Sequence, residues 1–422
     1  MSPTPPAEAP ATAAALVSIR RRFVALTALR WLPTGFVVPV TVLLLRERGL
    51  DLPTIGLIVA VYSAATLVLE LPTGGLADVI GRRPVLATAA LVAAVSSLTL
   101  AFGRGALVLA LGYLLGGVAR ALDSGPLQAW FVDRTHEVDP DAPLRTGLSR
   151  AGVAESVALA AGALAGGGLV AISPLPTSGD GLVALSTPFL VAAALSVLHA
   201  VLVLVWVRDP ARPADDPSPG TMRGLGATIA AGLRLARTHP ALRRILLLTA
   251  AVGAALSGLE LLAPPRFAAL LGGESAAAGA YAVLVTAGFL GSASGSALAP
   301  AVARLTRGPS RAALVGVLGA AVALAAVALP APLAAAVAFV AFYVLLGIAV
   351  PLVEELTHAA ASSAQRATVL SLNSMAMQGT AIVTTAGLGV LAGATSSAAA
   401  LWLPAAVLAI GALALARWPR LS

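Results

Sequence analysis

The sequence contains no cysteine and no lysine, and only 11% of its 422 residues are charged. Without cysteine the chain can form neither a disulfide nor a thiolate metal site. Without lysine it cannot form the nucleotide-binding loop Gly-x-x-x-x-Gly-Lys, which excludes ATP as a fuel through such a loop. A soluble domain has about 25% charged residues, more than twice the fraction in this chain. The scarcity of charge therefore favours a protein that folds in a membrane.

All 27 basic residues are arginine, and the formal net charge is +8. The arginines stand singly or in pairs between apolar runs and make no continuous basic stripe, so we expect no nucleic-acid partner. The four histidines show no metal-ligand spacing, and we expect neither a metal nor a cofactor. We find no convergent serine, histidine or carboxylate constellation, which argues against an enzyme. The absence of lysine beside abundant alanine and glycine is typical of a GC-rich bacterial genome.

The sequence is rich in long apolar runs. Hydrophobic residues make up 58% of the chain, and the mean hydropathy is +0.92. A transmembrane helix needs about 20 predominantly apolar residues. Twelve runs meet this condition and predict an all-α integral membrane protein. The runs cover residues 23–45, 54–77, 84–103, 106–131, 147–172, 186–207, 242–264, 277–303, 311–329, 333–356, 367–391 and 397–416.

The longest polar break, Arg208–His239, divides the twelve runs into six and six. Its second part, Met222–Thr238, predicts an amphipathic helix on the membrane surface. We interpret the Pro/Ala-rich stretch Ser2–Ala15 as disordered. The predicted organisation is an N-terminal tail over 1–22, a six-helix bundle over 23–207, a central loop over 208–241, a second six-helix bundle over 242–416 and a C-terminal tail over 417–422.

The arginines also predict the orientation. If the N-terminus is cytoplasmic, 20 arginines fall in inside segments and 4 in outside segments. Cytoplasmic loops of membrane proteins carry an excess of basic residues. We therefore expect a multi-pass protein of the cell membrane with both termini in the cytoplasm.

The most informative segment lies between the second and third runs and has the pattern Gly-x-Leu-Ala-Asp-x-x-Gly-Arg-Arg. Its members are Gly74, Asp78, Gly81, Arg82 and Arg83. Asp78 is placed to accept hydrogen bonds or to face a helix N-terminus, and the arginines are placed where headgroups and helix C-termini are negative. The segment resembles the signature loop of the major facilitator superfamily of secondary transporters. The resemblance implies two pseudo-symmetric six-helix bundles, with this loop biasing the equilibrium between outward-facing and inward-facing states.

Three other stretches extend the resemblance. The sequence from Gly295 to Arg304, followed by Arg307-Gly308, takes the corresponding place in the second half, without the aspartate. Arg120 in the fourth run is similar to an arginine that precedes a glycine-containing segment in the superfamily. The glycine-rich stretch 162–168 in the fifth run is similar to a motif of drug/proton antiporters. A packing face of small residues explains that stretch about equally well.

Ionisable residues within the apolar runs of the first half are the candidates for coupling and substrate binding. Each such charge costs about 2.5–3.5 kcal/mol on insertion scales, so it should be paired or functional. Arg120 and Asp123 are three residues apart and should share a helix face, so we expect them to be partners. The set comprises Arg30, Arg120, Arg150, Glu70, Asp123 and Glu155.

A static ion-pair network is the alternative role for Arg30, Glu70 and Arg150, and Glu155 is open between the two roles. In the second half, Glu260 stands in the outer part of the seventh run, and we expect it to pair with Arg266 at the surface, with a gating role as the alternative.

The function predicted from these features is proton-driven secondary transport by alternating access. Efflux of an amphipathic small molecule is favoured because the runs offer few polar anchors. The alternatives are uptake of a small metabolite, or a transporter-like receptor or scaffold without transport. The expected partners are the lipid bilayer, a small-molecule substrate and protons, and we expect a monomer. The sequence does not name the substrate.

Overall fold

The protein is represented by a computed structural model that describes residues 8–209, 239–360 and 366–416. These residues form helices and short connections and contain no strand. The predicted amphipathic helix over Met222–Thr238 lies outside the described residues, and so does the side chain of Asp78.

The helices follow the predicted runs closely. In chain order the described residues form α1 Glu8–Val37, α2 Thr41–Glu47, α3 Leu52–Ile80, α4 Arg82–Phe102, α5 Gly105–Leu122, α6 Pro126–Val138, α7 Arg145–Ile172, α8 Thr187–Trp206, α9 Pro240–Leu271, α10 Glu274–Leu305, α11 Pro309–Ala326, α12 Pro332–Ala360, α13 Arg366–Ala394, α14 Ser397–Ala400 and α15 Trp402–Ala416. Twelve segments of the described chain are long and apolar enough to cross a membrane. The predicted twelve-helix fold is confirmed.

The N-terminal stretch is a correction. We interpreted Ser2–Ala15 as disordered, but α1 begins at Glu8. Alanine has the highest helix propensity, and Pro10 lies in the first turn, where the missing N–H costs no intrahelical bond. The helix therefore starts well before the apolar run at residue 23.

Three of the twelve spans are interrupted, and in the twelfth a single residue, Leu401, separates α14 from α15. In the first span, α1 ends at Val37 and α2 begins at Thr41, with Pro39 between them. In the fourth span, which we predicted as one continuous run, α5 ends at Leu122 and α6 begins at Pro126. Gly125 has a φ of +99°, a conformation that glycine adopts without steric cost, so the chain changes direction there.

The helices form two halves. In the first half α1 packs against α7 and α8, and α4 packs against α5 and α8; in the second, α12 packs against α10 and α11, and α15 against α9 and α11. Large apolar side chains such as Leu107, Ile172 and Val383 are exposed on the outer surface. A surface of this kind suits lipid better than water.

The halves meet through α3 against α13 and α7 against α10. Glycines bring the backbones together: a Cβ at Gly389 would lie 2.6 Å from the carbonyl oxygen of Leu52 and 3.1 Å from the Cα of Gly56. Small residues permit this close approach of membrane helices. The two halves are therefore in direct backbone contact near the start of α3.

A polar contact joins the halves in the same region, where Arg46 Nε lies 3.2 Å from Glu274 Oε1. Deeper in the bundle, the hydroxyl of Thr286 on α10 donates to the carbonyl of Ala160 on α7 at 3.1 Å. We call this side of the bundle the Arg46 end and the opposite side the Arg82 end. The structure is closed between the halves at the Arg46 end.

Candidate functional site

A cavity of about 430 Å³ lies inside the bundle. A volume of this size is within the range of small-molecule sites. Its walls come mainly from α1, α3, α4 and α5, and of the described residues only Glu260 and Leu261 of the second half line it. Most of the wall is aliphatic or small, and the charged groups on it are Arg30, Arg120, Asp123 and Glu260.

Asp123 lies at the break in the fourth span, where its backbone N–H donates to the carbonyl of Ala119 at 3.1 Å and ends α5. Its carboxylate forms an ion pair with the guanidinium of Arg30 from α1. The two side chains are 10% and 14% exposed, so the pair is almost closed off from solvent. A buried pair is costly to break because the remaining charge has no partner.

The expected pairing of Arg120 with Asp123 is wrong. The partner of Asp123 is Arg30, and the guanidinium of Arg120 instead lies 5.5 Å from the ring centre of Trp31. The guanidinium carbon of Arg30 also lies over that ring, 3.9 Å from its centre. Asp123 still has helical dihedral angles as the C-cap of α5, so the shared helix face does not decide its partner. The helix α1 brings Arg30 to Asp123 instead. Trp31, which the sequence did not single out, supports both arginines.

Glu155 is brought to the same cluster. It lies on α7 within electrostatic range of Arg30 and Arg120, and it is half-buried. His199 on α8 is 4% exposed, and its Nε2 has no hydrogen-bond partner in the described structure. By contrast, Arg150 is exposed and does not belong to the buried set in which we placed it, because it lies in the second turn of α7.

Glu70 connects the cluster to the second half. Its Oε1 accepts from the hydroxyl of Ser124 at 3.3 Å, and its Oε2 accepts from the hydroxyl of Ser374 on α13 at 2.7 Å. Ser124 belongs to the break between α5 and α6 and directly follows Asp123. One carboxylate thus ties the broken fourth span to the opposite half.

The signature segment is largely helical and not a loop. The helix α3 includes Gly74 and Asp78 and continues to Ile80, and Gly81, with a φ of +95°, is the only residue between α3 and α4. The N-terminus of α4 is capped by Asp209, whose Oδ1 accepts from the backbone N–H groups of Arg82 and Arg83 at 2.9 and 3.2 Å. Among the described side chains, the acidic group at the N-terminus of α4 is therefore that of Asp209. The prediction that Asp78 takes this role concerns a side chain outside the described residues.

The side chain of Arg82 makes the second contact of this segment. Its Nη1 lies 2.5 Å from Asp133 Oδ2 on α6. The segment is therefore held at two points, by Asp209 after α8 and by Asp133 on the second part of the broken span. The sequence signal for Asp209 was its place at the end of the sixth run, directly before a proline.

We predict that Asp209→Ala destabilises the protein by about 0.5–2 kcal/mol, the usual cost of losing a helix N-cap. Asp209→Asn should cost much less, since an asparagine oxygen accepts the same bonds. Thermal unfolding of the two variants in detergent, followed by circular dichroism, measures the difference. Equal unfolding temperatures for the alanine variant and the wild type would contradict the capping role.

Glu260 is the functional candidate that the sequence placed wrongly. We expected it to pair with Arg266 at the surface, but Arg266 donates to the carbonyls of Ala328 and Leu329 at 3.0 and 2.6 Å. Glu260 lines the central cavity instead. Two residues six apart on a helix differ by about 240° in direction, so the two side chains point to different sides of α9.

Twelve apolar spans in two halves, with a charged cavity inside, define a membrane transporter. The sequence profile of the Major Facilitator Superfamily matches residues 23–363. The chain belongs to this superfamily of membrane transporters.

Two similar sequences are resistance proteins by name. The class B tetracycline resistance protein of Escherichia coli is 28% identical over 194 residues, which cover 45% of this chain and 44% of that protein. Multidrug resistance protein 1 of Bacillus subtilis (strain 168) is 26% identical over 186 residues, or 44% of each chain. The matched region spans less than half the length of either relative.

Solved structures of transporters share the fold. The nucleoside transporter NupG superimposes with a TM-score of 0.74 at 14% identity, covering 94% of this chain and 98% of that one. The peptide transporter POT in complex with alafosfalin gives a TM-score of 0.70 at 16% identity, covering 96% and 94%. A bacterial homologue of the lysosomal transporter Spinster, inward-facing and unoccupied, gives 0.71 at 16% identity, covering 95% of each chain.

Proposed function

We propose that this protein is a proton-coupled efflux transporter of an amphipathic small molecule. The observation that carries the proposal is the cavity of about 430 Å³, whose aliphatic wall surrounds a compact set of charges. An amphipathic molecule can place its apolar body on such a wall and its polar group at the charges. The two relatives are named for resistance to tetracycline and to multiple drugs, and resistance by export supports this direction of transport.

Proton coupling is supported by the carboxylates of the cluster. Asp123 pairs with Arg30, while Glu155 lies within electrostatic range of Arg30 and Arg120 without a direct ion pair among the described residues. Carboxylates that share the same positive charges bind protons as a group. A change in water access during the transport cycle therefore changes proton occupancy, and the proton gradient supplies the energy without a cofactor.

Two contacts between the halves support alternating access. The glycine contact closes the Arg46 end, and Glu70 ties the fourth span to α13 through Ser374. Opening at one end requires the halves to rock about the cavity. The signature segment, with Arg82 bound to Asp133, then biases which end is open.

Transport in reconstituted vesicles tests the proposal. We expect an imposed pH gradient to drive accumulation of amphipathic probes in the direction opposite to proton movement. Susceptibility of a deletion strain to a toxin panel, with radiolabel accumulation, identifies the substrate. Co-directional movement of probe and proton would establish uptake, and ligand binding without any flux would establish a receptor or scaffold.

We also propose that the protein resides as a monomer in the bacterial plasma membrane with both termini in the cytoplasm. The wild-type chain has no cysteine, so single cysteines report position directly. Ser178 and Asp141 are both exposed, in connections on opposite sides of α7. We predict that an impermeant maleimide labels Ser178→Cys in intact cells and labels Asp141→Cys only after permeabilisation. The reverse pattern would overturn the orientation.

A further inference from the structure

Glu260 is the one charged side chain that the described second half contributes to the cavity wall. It is exposed and lies on the cavity wall, so its accessible surface faces the cavity. No ion pair joins Glu260 to another described residue. Its carboxylate is therefore free to meet whatever enters the cavity.

The arginines of the cavity belong to the first half, where carboxylates of that half face them. Arg30 is paired with Asp123, and Arg30 and Arg120 also lie within electrostatic range of Glu155. Glu260 lies on α9 of the opposite half, and no described arginine forms an ion pair with it. Glu260 is therefore the carboxylate on the cavity wall that has no cationic partner among the described residues.

Two tyrosine rings share the cavity wall with this carboxylate. The chain has only four tyrosines, and all four lie within electrostatic range of Glu260: Tyr62, Tyr113, Tyr281 and Tyr343. Tyr62 and Tyr113 line the cavity, with ring centres 6.5 Å apart at an edge-on angle of 82°. Aromatic faces attract cations through their quadrupoles, and most strongly when the site is desolvated.

Resting on the transport function proposed above, we propose that the cavity binds a lipophilic organic monocation, with its cationic centre between Glu260 and the rings of Tyr62 and Tyr113. The apolar body of the ligand then lies on the aliphatic wall formed by residues such as Val38 and Leu100. A substrate cation and a proton would neutralise the same carboxylate, so each would displace the other.

A metal ion suits this site poorly. Hard cations take about six to eight oxygen ligands, and the described residues contain no group of three or more histidines and carboxylates that could hold a metal. One carboxylate beside aromatic faces matches the chemistry of an ammonium or phosphonium centre instead.

Two probes of similar shape and different charge test the inference. Tetraphenylphosphonium is a permanent monocation, and triphenylphosphine oxide is neutral. We expect the purified wild-type protein in detergent to bind tetraphenylphosphonium, and Glu260→Gln to bind it about tenfold more weakly, a loss equivalent to about 1.4 kcal/mol. Affinity for triphenylphosphine oxide should be the same in both proteins, which also shows that the variant is folded.

A pair of substitutions at Tyr113 tests the aromatic part independently. Tyr113→Phe keeps the ring and should retain tetraphenylphosphonium binding, whereas Tyr113→Leu removes the ring and should weaken it several-fold. The inference is overturned if wild type does not bind the cation, or if Glu260→Gln binds it as well as wild type does. These measurements need no gradient. Cation binding through Glu260 without transport in vesicles would therefore refute the efflux proposal and leave the binding site established.

Discussion

Replacing Asp123 by asparagine is expected to abolish gradient-driven transport, because it removes the carboxylate that exchanges a proton with the cavity, while Arg30 keeps its contact with the ring of Trp31. Asparagine cannot hold the negative charge that Arg30 faces, nor release a proton when water reaches the cavity. The expected result is a protein that still equilibrates its substrate across the membrane but no longer concentrates it. Accumulation in proteoliposomes, with and without a pH gradient, separates the two activities.

The neutral double variant is the matched control. Arg30→Gln alone should destabilise the fold by about 3–5 kcal/mol, because it leaves the carboxylate of Asp123 buried without its partner. Adding Asp123→Asn removes both charges and should restore the unfolding temperature in detergent, but not coupling. If the double variant accumulates substrate with the pH dependence of the wild type, coupling lies elsewhere and Glu155 is the next candidate.

Adding a methyl group at Gly389 is expected to impair transport about 5–150-fold, because overpacking a tight contact costs about 1–3 kcal/mol. A Cβ at Gly389 would lie 2.6 Å from the carbonyl oxygen of Leu52, which is main chain and cannot rotate away. The variant Gly389→Ala should therefore close poorly at the Arg46 end while binding substrate normally.

The same helix provides the control. A Cβ at Gly387, two residues earlier on α13, would meet no atom within 4 Å. Gly387→Ala adds the same methyl group to the same helix, and this variant should transport at the wild-type rate. A single cysteine at Thr385 measures closure, since its labelling rate from the Arg46 end should rise only in Gly389→Ala. Equal transport by the two alanine variants would show that the glycine contact does not limit the cycle.

The sequence predicts the spans well because each span is a local property. An apolar run of sufficient length specifies a membrane helix whatever its neighbours are. The break at Asp123 was missed because the apolar run continues through Pro126, and proline is tolerated in membrane helices. Gly125 directly before Pro126 was the available signal for a new helix start, since proline favours the first helical position.

The sequence predicts several residues of the candidate cluster, but it does not predict which of them pair with each other. Arg30, Arg120, Asp123 and Glu155 do gather at one place, as their cost in a membrane requires. Which arginine meets Asp123 depends on the packing of α1 against the fourth span, a tertiary contact that spacing along one helix does not contain. The predicted pairing of Glu260 with Arg266 relied on their nearness in sequence. It did not take into account that residues six apart point to different sides of a helix.

The broken fourth span connects two ion pairs that lie far apart. Asp123, which directly follows its first part, α5, pairs with Arg30. Asp133, on its second part, α6, pairs with Arg82. If the two parts move about Gly125, then the occupancy of one ion pair alters the free energy of the other by an equal amount in both directions. Proton binding at Asp123 would then change the stability of the Arg82–Asp133 ion pair at the membrane surface. Conversely, a lipid headgroup bound near Arg82 would change the proton affinity of Asp123.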